Sequence, residues 1–100
     1  MTNYNTTIQV TYTDQHLRIL IEEFIAMQRS EFTFKGVCSY ILYRAMEEEK
    51  TTGSKIYESN QLEQKDSERV SNILKKIVRE GRITESSDSY NDEIILFVKK

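Results

Sequence analysis

The 100-residue chain has no proline, three glycines, one cysteine and one histidine. Scarce breakers suit a compact, helix-rich fold. A single cysteine, Cys38, excludes an intrachain disulfide and fits a reducing compartment, so a cytoplasmic location is expected. Residues 1–7 are polar and carry no positive-then-apolar leader. No apolar run nears the ~20 residues that a membrane span needs, so no membrane partner is expected. His16 stands alone, with no Cys or Ser motif spaced to pair with it. A Gly-rich phosphate loop and a metal-spaced Cys/His set are both missing. Neither an enzyme nor a cofactor or metal is expected.

What is present is an ordinary folded composition. The apolar fraction is 38%, the charged fraction 30%, and ten residues in a hundred are aromatic; disorder calls for lower hydrophobicity. The length matches one domain spanning residues 1–100, with residues 1–5 expected to be disordered. Fourteen basic and sixteen acidic residues give a net charge of −2. Such a total neither demands nor forbids a polyanionic partner, because local patches decide.

Periodicity supplies the elements. Residues 6–12 alternate, with Ile8, Val10 and Tyr12 on one side, and predict a half-buried strand. Thr13 can cap a helix whose stripe is Leu17, Leu20, Ile21, Phe24 and Ile25, reaching Gln28 or Arg29. Residues 31–34 form a break able to make a brief β-bridge. Thr33 then caps a second helix, with Phe32 stapling onto Val37. Its stripe runs Phe34, Val37, Cys38, Ile41, Leu42, Ala45 and Met46, and it frays into Glu47, Glu48, Glu49 and Lys50. Cys38 on this stripe reads as a small core residue. Residues 50–54 read as a loop, and residues 56–64 allow a short helical turn. Asp66 or Ser67 caps a third helix with the stripe Val70, Ile73, Leu74, Ile77 and Val78. Gly81 sits where a left-handed cap belongs. A strand over residues 82–85, a turn-rich tip over 86–92 and a two-sided apolar strand over 93–98 complete the chain.

The order strand, helix, helix, helix, strand, strand resembles the winged-helix superfamily over residues 13–98, most strongly in VSNILKKIVREGRI at residues 70–83. In that family a recognition helix often ends on an apolar pair, charged residues, glycine, a basic residue and an apolar one. The resemblance implies an α+β fold with a C-terminal β-hairpin wing. The connection over residues 48–65 departs from it, being much longer than a simple helix-turn-helix turn.

With the third helix's stripe facing inward, Ser67, Glu68, Ser71, Asn72, Lys75 and Arg79 face outward. A helix in the major groove reads base edges with such side chains. Asn72 suits adenine, Ser67 and Ser71 a phosphate or base edge, and Lys75, Lys76, Arg79 and Arg82 the backbone. Residues 71–82 carry four basic side chains and one acidic, +3, which leaves −5 on the rest. The competing reading is that these cations complement the helix dipole and solvate a surface. Asp88 and Asp92 at the wing tip, flanked by Glu85 and Glu93, would be repelled by phosphates.

Two functions follow. One is a double-stranded-DNA-binding transcriptional regulator, acting as a homodimer. The other is a protein-interaction module without DNA binding, to which Tyr40, Tyr43 and Tyr90 would lend interface rings. Tyr40 and Tyr43 can alternatively pack under the long connection with their hydroxyls in water.

Overall fold

The computed structural model describes residues 7–52, 61–86 and 96–99. Strand β1, Thr7–Val10, opens the fold. Ile8, Val10 and Tyr12 are buried, as their alternation predicts. Helix α1, Asp14–Met27, begins where the Thr13 side chain accepts the His16 N–H. It buries Leu17, Leu20, Ile21 and Ile25. Strand β2, Glu31–Thr33, is the short break expected between the helices. Thr33 ends it and caps α2, Phe34–Glu47, by accepting the Gly36 N–H. Helix α2 buries Val37, Ile41, Leu42 and Ala45.

The described ends of the long connection include two short strands. Thr51–Thr52 form β3 where a loop is expected, and Gln61–Leu62 form β4; residues 53–60, which include most of the stretch allowed a helical turn, lie outside the described residues. Both lie on β1, β3 antiparallel and β4 parallel. Two-residue strands have no visible period, so only a partner strand reveals them.

Helix α3, Gln64–Arg79, starts earlier than expected. Glu63 holds the cap position without a side-chain hydrogen bond. Asp66, expected as a cap, is instead 2% exposed. Its carboxylate accepts the Val10 N–H at 2.9 Å and pairs with Arg69 at 2.9 Å. Arg69 also reaches Asp14 and the Tyr12 carbonyl, so one ion cluster ties β1 and α1 to α3. A buried carboxylate needs such partners to offset its lost hydration.

Helix α3 buries Val70, Ile73, Leu74 and Ile77 and ends at Gly81, whose φ is 79°. Strand β5, Ile83–Glu85, and strand β6, Leu96–Lys99, follow. The second sheet has the order β2-β6-β5. The described part of the expected C-terminal strand, within Leu96–Lys99, is therefore central, with β2 and β5 on its two edges. Phe32 and Phe97 face each other in register and stack at 5.4 Å. Among the described residues the result is an α+β domain of three helices with two small three-stranded sheets, one mixed and one antiparallel. No helix among the described residues is long and apolar enough to cross a membrane.

Candidate nucleic-acid interface

The outer face of α3 follows from its period. At about 100° per residue, the buried stripe leaves Lys65, Glu68, Asn72, Lys75, Lys76 and Arg79 on the opposite side, and all six are exposed. The sequence pattern does not place Lys65 on this face, because it predicts a helix that starts after it. The seven-residue offset of Lys65 from Asn72 is the signal that puts both on one side. Among the described residues, Lys65, Lys75, Lys76 and Arg79 make no ion pair. Glu68, on the same face, accepts a hydrogen bond from Gln64.

Three expected contributors sit differently. Ser67 and Ser71 are half-buried. Ser67 turns toward α2, where it hydrogen-bonds Cys38. Burial pushes the Cys38 thiol up to about 12, with that bond opposing the shift, so the thiol stays protonated and unreactive at neutral pH. Arg82 is exposed, but Glu22 on α1 accepts its guanidinium N–H. Arg18 joins the same cluster by pairing with Glu22 and, at 2.5 Å, with Glu80. The charge of Arg82 is thus largely matched within the fold.

The first turn of α2 lies beside this face. Phe34 lines one groove together with Ser71, Lys75 and Arg79 of α3. Lys35, the next residue, is exposed and makes no ion pair among the described residues. The position of Phe34 at a helix start gives no hint that it neighbours α3, since only the tertiary fold brings the two together.

The tyrosines separate. Residues 53–60 of the long connection lie outside the described residues, and Tyr40 packs on α1. It is half-buried against Phe24, with ring centroids 5.4 Å apart, and its hydroxyl donates to Glu23 and accepts from Arg44. Arg44 also pairs with Glu23 and Glu48, and Tyr12 donates to Glu48, so these side chains clamp α1, α2 and the segment after β1. Tyr40 is part of this clamp. Tyr43 is 62% exposed. Tyr90, Asp88, Asp92 and Glu93 lie outside the described residues. Glu85 is exposed at the end of β5. Among the described residues, no three His, Cys, Asp or Glu side chains gather as metal donors.

No family model, no curated protein and no solved structure matches this chain.

Proposed function

We propose that the chain is a winged-helix protein that binds double-stranded DNA through the outer face of α3, as a small transcriptional regulator. The observation that carries this reading is the set of cations on that face. Lys65, Lys75, Lys76 and Arg79 point to solvent without a carboxylate partner among the described residues, beside Asn72, while Arg18, Arg44, Arg69 and Arg82 are paired. Unmatched cations on one exposed helix suit phosphate contacts and the release of counterions. The winged-helix part is supported by topology. The strand between the first two helices pairs with the last strand of the chain, which also pairs with the strand following α3.

In this reading Lys75, Lys76 and Arg79 hold phosphates, with Lys65 extending the stripe. Asn72 reads a base edge, and Glu68 restricts which base fits beside it. Ser71, half-buried, contributes at the rim. A fluorescence-anisotropy titration of mixed-sequence duplex at two salt concentrations tests it. Salt-sensitive binding that disappears in the Lys75→Glu, Arg79→Glu double variant is expected. Binding indifferent to both salt and the variant would sink the proposal.

A second reading, a protein-interaction module, is favoured by three exposed apolar side chains: Ile19 at 49%, Met27 at 59% and Tyr43 at 62%. Under the DNA reading the same side chains are the candidates for homodimer contacts. Light scattering of wild type against Met27→Asp, Tyr43→Asp measures that. A dimer mass lost in the variant supports these contacts, and a monomeric wild type removes the dimer.

A further inference from the structure

An open groove of about 220 Å³ runs beside the outer face of α3. Its apolar floor is Phe34 at the start of α2, Val78 on α3 and Phe97 in β6. Phe34 and Val78 are half-buried, so each keeps an accessible side, while Phe97 is nearly closed off by the core. Ser71, Lys75 and Arg79 of α3 and Glu85 at the end of β5 supply the rest of the lining. Sites for whole small molecules occupy roughly 300–1,000 Å³, so this groove is small for one. It suits a single aromatic or branched aliphatic side chain offered by a larger partner, the usual anchor of a protein interface.

The charges choose among partners. Among the described lining residues, Lys75 and Arg79 are cations with no ion-pair partner, and Glu85 is the one carboxylate. A segment with acidic residues beside its apolar anchor gains two cation contacts on the α3 side. A basic segment meets both cations. We propose that the groove seats one apolar side chain of an acidic peptide segment from a partner protein, with its flanking carboxylates held by Lys75 and Arg79. Since those two cations also face DNA, the segment competes with duplex for the same helix. The competition rests on the DNA reading given above; the groove's occupancy does not.

The test uses the full chain, labelled with nitrogen-15, and the synthetic peptide acetyl-Asp-Glu-Asp-Phe-Asp-Glu-Asp-amide. Amide shifts confined to Phe34, Ser71, Val78, Phe97 and their neighbours are expected. They should vanish when the peptide's Phe is replaced by Ser, and binding should weaken at least tenfold in Lys75→Glu. Shifts that survive the Ser peptide, map elsewhere, or appear equally with a Lys-substituted peptide overturn the groove proposal. The peptide variants keep this decision independent of how any protein variant folds. In a second arm the peptide is added to protein bound to fluorescein-labelled duplex. Displacement is expected, and a ternary complex overturns the competition. If duplex alone does not bind, the DNA reading and the competition both fail, and the shifts still decide the groove.

Discussion

Two helix ends close the same way on different residues. After α3, the Gly81 N–H reaches the Val78 carbonyl and the Arg82 N–H reaches that of Ile77, with Gly81 left-handed at φ 79°. After α2, the Glu49 N–H reaches Met46 and the Lys50 N–H reaches Ala45, with Glu49 left-handed at φ 58°. Both patterns satisfy the last carbonyls of a helix. A side chain in that conformation costs about 1–2 kcal/mol and glycine nothing. Glu49→Gly is therefore expected to stabilise the fold by about 1 kcal/mol, and Gly81→Ala to destabilise it by a similar amount. Space is not the obstacle at Gly81, because an added Cβ meets nothing within 4 Å. Shifts of roughly 4–8 °C in thermal midpoint, upward for the first variant and downward for the second, check this. Asp66 is the other residue whose loss should be felt. Asp66→Ala leaves the Val10 N–H buried without its acceptor, a penalty of about 1–3 kcal/mol, measurable by urea unfolding. Arg69 would retain Asp14 and the Tyr12 carbonyl.

At the scale of elements, α3 is the part most legible in sequence, yet its start is not. Its stripe at Val70, Ile73, Leu74 and Ile77 has a strong helical period, and Gly81 marks the stop. Its start misleads because Asp66 and Ser67 look like caps, whereas tertiary partners claim both: Asp66 goes to β1, Ser67 to Cys38 on α2. The two strands β3 and β4 are hidden for a related reason, since each is two residues long and exists by pairing with β1. The outer face of α3 is easy to modify because it bears little packing. Lys75→Glu with Arg79→Glu is expected to leave stability within about 0.5 kcal/mol. Neutralising the same pair with Gln should reduce the slope of log affinity against log salt by about 1.8, near 0.9 for each phosphate no longer neutralised. Anisotropy titrations over a salt series measure that slope; no change would place the phosphates elsewhere.

Over the whole molecule, ion pairs link what the core packs. Arg82 and Arg18 hold the Glu22 carboxyl below its ordinary 4.5, Arg18 lowers Glu80, and the Tyr12 and Arg44 hydrogen bonds lower Glu48. Carboxyls lowered in the folded state contribute stability above the unfolded value of 4.5, lost as pH falls through the folded values. Tyr12 runs the other way. Burial first, then its bond to Glu48, raise its hydroxyl above 10, so its contribution holds below pH 10 and is lost as pH rises beyond it. Urea midpoints measured from about pH 7 to 3 should fall, and Glu48→Gln should fall less across that range. A parallel fall in both would assign the acid loss to other groups.

The sequence by itself determined three helices, the buried faces of the first strand and of each helix, the left-handed stop at Gly81 and a basic local balance along the third helix. These are periodic or local signals, carried by side chains a few residues apart. Only the tertiary structure decided which of those charges remain unmatched. Arg82 meets Glu22 from far along the chain, while Lys75, Lys76 and Arg79 meet no described carboxylate. It also decided that Phe34 neighbours α3, and that Tyr40 belongs to a clamp. Contacts between distant segments depend on where elements pack, and no local pattern encodes that.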